Sequence, residues 1–294
     1  APALAQPIMS SPSGTRYVER DATGESILPN GRLITPTGTM HVVRPHPYGL
    51  TISPDGRWVV AVSSDGPQLS LLDMADPSAP IASYIPEDMG EGEGVLDSAF
   101  MGLAISADSK TVYVAGGRAW KVYAFDLETR KKLFEIDCAH MVGEGDYTFG
   151  YLGDIRLRKD GKFLYGVDQS NFRMVTFDLE AQKVVGSVGV GRYPFGVTLS
   201  PDETEAYVAN VGMYEYAYMK NEAGELAWLL FPPFGVPSEA AEKGTTVDGV
   251  VAPGLGDPND IKAMSVWTVS LTEGDAGTVT NRYKTGHLVG EELE

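Results

Sequence analysis

The sequence predicts an all-β protein built from repeated four-stranded antiparallel blades, and three observations predict it. A hairpin-like segment occurs four times. A strand ending in Asp73, Asp126 and Asp178 follows the first three copies at spacings of 53 and 52 residues. Glycine at 34 and proline at 19 in 294 residues supply turns rather than helices.

The four copies are Gly49 to Val62 (GLTISPDGRWVVAV), Gly102 to Ala115 (GLAISADSKTVYVA), Gly153 to Tyr165 (GDIRLRKDGKFLY) and Gly196 to Ala209 (GVTLSPDETEAYVA). In each, a short apolar strand runs into a Ser-Pro-Asp-Gly type turn and an alternating strand leaves it. Proline presets φ for such a turn and glycine accepts positive φ. Ser109 and Glu203 stand where two copies lack the glycine, so the turn is expected to be a kind that tolerates a Cβ. A third strand and then a fourth (Ile81 to Ile85, Lys132 to Ile136, Lys183 to Val188) complete each unit. Four strands in about 40–50 residues, repeated, is one β-propeller blade per repeat.

Blades are therefore expected at about 48–86, 100–137, 151–190 and 194–286, the last interrupted by an insertion at 213–264, within a propeller region spanning 31–294. Residues 1–30 read as an N-terminal extension. The segment Ile34 to Val43 reads as a latch strand with no local partner before it. It is expected to pair with polypeptide absent from the sequence, or else with Val266 to Val269. Four blades with open ends expose two apolar sheet faces. The expected whole is a seven-bladed ring, completed by a missing C-terminal part of the same polypeptide or by a protein partner.

A formal charge of −17 repels a phosphate backbone and argues against nucleic-acid binding as the main function. Hydrophobic residues at 43% and charged residues at 21% suit a packed globular chain, and no run of 18 apolar residues marks a transmembrane segment. Cys138, the single cysteine, excludes an internal disulfide, a CxxC pair, a thiolate zinc site and a CxxCH haem attachment. The start, Ala1 to Gln6, carries the alternating small residues that end an export signal, which implies a periplasmic or secreted protein.

Val112 to Ala115 and Tyr207 to Asn210, the latter preceded by Leu199-Ser200-Pro201-Asp202, resemble the YVTN-type β-propeller repeat family over roughly residues 30–290. Tyr193 to Val197, Val208 to Tyr216, Phe234 to Ser238 and Pro253 to Asn259 resemble its exported branch, which is often fused to an alkaline-phosphatase-like phosphoesterase domain. The resemblance implies the propeller fold. It carries no catalytic residue over to this chain, and nothing in residues 1–294 resembles the phosphoesterase.

Candidate site residues fall in three groups. Tyr48, Phe100, Tyr151 and Phe195 recur at the starts of the inner strands and, with His46, mark the mouth of a central channel as aromatic rather than acidic. Tyr214, Tyr216, Tyr218, Trp228, Phe231 and Phe234 concentrate in the insertion, where aromatics among proline and methionine suit a partner interface. Glu91, Glu93, Asp97, Glu144 and Asp146 lie in acidic, glycine-rich loops between blades, weak candidates for Ca²⁺ that lack the EF-hand order. No other cofactor is implied. Cys138 and His140, two residues apart at a strand end, lack an orienting third group for a nucleophile. The functional expectation is an exported binding or docking scaffold, not catalytic within this chain. The alternatives are a propeller hydrolase, a lactonase or phosphoesterase-associated, with a metal at the channel, and a redox subunit resembling quinoprotein dehydrogenase propellers.

Overall fold

The computed structural model describes residues 11–21, 24–35, 37–38, 40–63, 68–76, 78, 80–87, 94–142, 145–147, 149–215, 218–220, 226–229, 238–247, 250–272 and 277–286. They divide into two compact units, residues 1–43 and 44–294. In the first, Ser26–Ile27 pairs antiparallel with Leu33–Ile34, and Glu19 bridges to Ile27, whose side chain is buried. Of the latch strand expected at 34–43, this corrects the lack of a local partner. Ile34 has a local partner in Ser26, and the described residues from 35 to 43 form no strand. The pairing comes from the turn at Pro29-Asn30-Gly31, where the Leu28 carbonyl accepts from Gly31 N and Leu28 N donates to the Arg32 carbonyl.

The second unit holds four sheets of four antiparallel strands in sequential order. Blade 1 is Pro47–Ile52, Trp58–Ser63, Gln68–Asp73 and Ile81–Ile85. Blade 2 is Leu103–Ile105, Thr111–Ala115, Lys121–Asp126 and Lys132–Asp137. Blade 3 is Leu152–Leu157, Phe163–Asp168, Arg173–Asp178 and Lys183–Gly189. Blade 4 is Pro194–Leu199, Glu205–Asn210, Ser265–Ser270 and Thr278–Lys284. These are β-propeller blades. Among the described residues the one helix is Glu239–Lys243, and no helix is long and apolar enough to cross a membrane.

The repeat turn is fixed by its serine. Ser53 donates to Asp55 Oδ1 and accepts from Trp58 N at 2.8 Å. Ser106 with Asp108 and Ser200 with Asp202 repeat the pattern. The turn does not change where glycine is missing. Gly56 and Gly161 have φ of 75° and 72°, and Ser109 and Glu203 keep φ of 61° and 58°. A left-handed Cβ costs about 1–2 kcal/mol. Each of these side chains recovers part of that by bonding the turn of the preceding blade, Ser109 Oγ to Asp55 N and the Glu203 carboxylate to Lys159 N.

Alternation along the strands sends one row of side chains toward each neighbouring blade. Three cores result. Trp58, Val60, Val62 and Leu71 meet Leu103, Val112, Val114 and Phe125 between blades 1 and 2. Tyr113, Ala115 and Ile136 meet Ile155, Leu164 and Phe177 between blades 2 and 3. Tyr165, Val167 and Met174 meet Val197, Ala206, Val208 and Trp267 between blades 3 and 4. The outward rows of the terminal blades are open in places, although Ala61, Ser70 and Leu72 in blade 1 and Thr268 in blade 4 are buried on them. Leu50 is 66% exposed, whereas Leu103, Ile155 and Val197, at the same register position, are buried. Ala209 is exposed where Val62, Ala115 and Val167 are buried.

The insertion leaves blade 4 at Asn210 and returns at Ser265, and these two residues still pair across the sheet. Its described parts include two hairpins, Tyr218–Lys220 with Leu226–Leu229 and Gly244–Val247 with Val250–Pro253, and the short helix capped by Ser238. Arg192 fastens its base. The buried guanidinium donates to the carbonyls of Met213 (2.8 Å) and Asp257 (2.5 Å) and pairs with Glu215 (3.2 Å).

Candidate functional site

The four inner-strand aromatics come together. Tyr48 lies in the inner strand of blade 1 and Phe195 in that of blade 4; Phe100 and Tyr151 precede those of blades 2 and 3. The Phe100 ring is the hub, with centroids 5.8 Å from Tyr48, 5.2 Å from Tyr151 and 6.4 Å from Phe195. The last two are edge-to-face, the arrangement that the ring quadrupole favours. Tyr193, which the sequence reading did not select, stacks on Phe195 at 6.5 Å. Tyr48 and Tyr193 remain open to solvent. Burial raises the pKa of the Tyr151 phenol, and the neighbouring Tyr193 and Tyr48 add to the shift; the Arg118 cation opposes it. His46 is exposed, one residue before the inner strand of blade 1, with φ of 52°.

Two buried carboxylates hold these inner strands in place. Asp168 accepts from Trp120 Nε1 of blade 2 at 2.9 Å, from Asn171 Nδ2 at 2.7 Å, and from the amides of Tyr151, Ser170 and Asn171 at 3.2–3.3 Å. The Tyr151 ring is thereby fixed through its own backbone. Asp154 reaches from blade 3 to Val197 N of blade 4 at 3.1 Å and also accepts from Ile155 N and Arg156. Asp154 falls where the one-residue-longer inner strand of copy three breaks register between Leu152 and Ile155, and Asp168 ends the second strand, as Asn210 does in blade 4.

Burial raises both carboxyls above the ordinary aspartate value of 3.8, although hydrogen bonds to each pull the other way. A carboxyl raised by folding stabilises the fold fully only below its unfolded pKa. That contribution is lost as pH rises through the folded value. Asparagine mimics the neutral acid and does not titrate. The unfolding free energy of Asp168→Asn relative to wild type should therefore shift in the variant's favour as pH rises over the range above the ordinary aspartate value of 3.8. Urea titrations across that range check it; a pH-independent difference refutes it.

No family model matches the chain, and no curated protein matches it. Among solved structures the chain is similar to Kuenenia stuttgartiensis hydrazine synthase, with a TM-score of 0.46 and 18% identity over 83% of this chain and 68% of that one. It is similar to the periplasmic gluconolactonase of Pseudomonas aeruginosa, with a TM-score of 0.47 and 20% identity over 70% of this chain and 61% of that one. A Bacteroides uniformis protein described as a 6-phosphogluconolactonase gives a TM-score of 0.47 and 20% identity over 70% and 62%. The chain thus spans less than two thirds of the two lactonase-type chains.

The remaining candidates separate. Tyr214 is buried, which removes it from any docking surface. Tyr218 and Trp228 lie on the paired strands of the first insertion hairpin, while Tyr216, Phe231 and Phe234 lie outside the described residues. Of the calcium candidates, Asp97 is committed to Gly94 N at 2.7 Å and the Tyr123 hydroxyl at 3.2 Å. Asp146 is on a short strand, and Glu91, Glu93 and Glu144 lie outside the described residues. Among the described residues no three His, Cys, Asp or Glu side chains gather as a metal site. Cys138 is buried, and burial pushes its thiol well above the ordinary range, with the Asp168 charge adding to it, the reverse of an activated thiolate.

Proposed function

We propose that this chain is a docking scaffold, an exported β-propeller that takes hold of a partner polypeptide at the aromatic mouth of its inner strands and does no chemistry of its own. The observation that supports this is the ring cluster centred on Phe100, drawn from all four blades, with Tyr48 and Tyr193 open to solvent. Rings held rigidly by inner strands offer large apolar area at little entropic cost, and phenol hydroxyls at the rim accept and donate hydrogen bonds. The matching chemistry is a segment with aromatic or aliphatic anchors. In this reading the chain belongs with the exported, phosphoesterase-associated branch of the YVTN-type repeat and works in the periplasm or outside the cell. Polypeptide bearing further blades covers the open rows at Leu50 and Ala209 and completes a wider ring.

The test is selection of peptides from a random displayed library on the purified chain and on Phe100→Ala. The reading expects peptides with aromatic anchors whose affinity falls about tenfold or more on Phe100→Ala, as a buried interface anchor should. Equal binding by both proteins overturns it. Hydrolysis of a sugar lactone or a phosphoester by the purified chain above the buffer rate also overturns it and favours the hydrolase.

A further inference from the structure

Blades 2 and 3 share a register, and one position in it differs sharply. Phe134 on the outer strand of blade 2 faces Ala124, which faces Tyr113. In blade 3 the same place is Gly186, facing Thr176, which faces Tyr165. The Phe134 ring lies 6.4 Å from that of Tyr113 and packs on the core between blades 2 and 3. Between blades 3 and 4 no side chain among the described residues takes that place, and a cavity of about 590 Å³ opens there, lined by Phe163, Tyr165, Thr176, Leu271, Gly186 and Arg158. Nothing in the backbone demands the glycine. A Cβ built on Gly186 meets only the Thr176 Cβ, at 4.0 Å, and its φ is not left-handed.

The cavity has one cationic corner. The Arg158 guanidinium sits 5.8 Å above the Phe163 ring, and its Nε pairs with Asp160 at 3.4 Å. On a chain of net charge −17, a guanidinium beside an apolar cavity selects a compact anion rather than a cation. A volume of this size suits one small molecule. We infer that the wedge between blades 3 and 4 binds a small aromatic carboxylate, whose ring takes the place that Phe134 fills in the neighbouring wedge and whose carboxylate meets Arg158. The site lies on the second and outer strands, apart from the inner-strand rings, and does not depend on the docking role.

Phenylacetate is the probe, with benzyl alcohol as its uncharged counterpart, titrated by calorimetry and ligand-observed NMR. Wild type is expected to bind phenylacetate. Gly186→Phe should abolish binding of both probes while leaving the thermal midpoint at or above wild type, because the ring fills an existing space. Arg158→Gln should weaken phenylacetate about tenfold and leave benzyl alcohol unchanged, the effect of one charge-assisted hydrogen bond. If Gly186→Phe fails to fold, Gly186→Leu carries the same expectation. Absence of phenylacetate binding to wild type, undiminished binding to the filled variant, or equal binding to Arg158→Gln each overturns the inference.

Discussion

Gly102→Ala should destabilise the chain by about 3 kcal/mol or more, whereas Gly196→Ala, at the same place in the repeat, should change it by less than about 1 kcal/mol. The difference follows from how closely inner strands approach each other. A Cβ on Gly102 would sit 2.8 Å from Ile155 N, 2.9 Å from Asp154 Cα and 2.9 Å from Ala115 Cβ. Two of those atoms are backbone of the next blade, held there by the bond from Gly102 N to the Gly153 carbonyl. Relief would require pulling the inner strands of blades 2 and 3 apart. Gly49 is in the same position against the Met101 carbonyl oxygen. At Gly196 the nearest atom is Asp154 Oδ2 at 3.7 Å, an ordinary contact, because the third interface is bridged by a side chain where the second is bridged by backbone. Denaturant unfolding of the two variants decides the matter. Equal losses would mean that the repeat glycine serves the turn or the strand conformation and not the blade-to-blade approach.

That contrast also shows how far the sequence could be read. The blades were legible because period and alternation are local. Four copies of a strand–turn–strand segment give register directly, and register places Tyr48, Phe100, Tyr151 and Phe195 at corresponding points, where the structure brings their rings together. What stayed hidden depends on partners far along the chain. Asp154 reads as one more polar residue in an inner strand until the Val197 amide of the next blade is beside it. Gly186 is one of several glycines between 186 and 191; only its register against Phe134 reveals a removed side chain. Ser109 and Glu203 were expected in a turn that tolerates a Cβ, and they hold the same left-handed conformation as the glycine copies; what the sequence did not show is the bond that each makes to the preceding blade. The local partner of Ile34 was not legible because a two-residue pairing at Ser26–Ile27 is too short to show periodicity.

Arg192→Ala is the second substitution expected to have a large effect, with a loss of roughly 2–4 kcal/mol from removing charge-assisted hydrogen bonds and a buried stem. Arg192 follows the outer strand of blade 3, and its own amide donates to the Lys262 carbonyl at 2.7 Å while its carbonyl accepts from Gly212 N at 3.0 Å. Its backbone therefore joins both ends of the insertion before the side chain is considered. The guanidinium then satisfies the carbonyls of Met213 and Asp257, one on each arm. Alanine would leave both oxygens without that donor at a buried place in the fold, where Arg192 itself is only 4% exposed. Glu215 would lose less, because it is half exposed and keeps Lys262 at 3.3 Å. Arginine reaches the two carbonyls from Nη1 and Glu215 from Nε, and the single ammonium of lysine lacks that planar fork, so Arg192→Lys should recover less than half of the loss. The damage should also be local. Amide exchange at Glu215 and Leu255, which are bonded to Leu255 O and Ala241 O, should accelerate in Arg192→Ala, while the amides of Val112 and Val114 in blade 2 keep their protection. A stability within about 0.5 kcal/mol of wild type, or exchange that accelerates equally in blade 2, would show that the insertion is held by something other than this guanidinium.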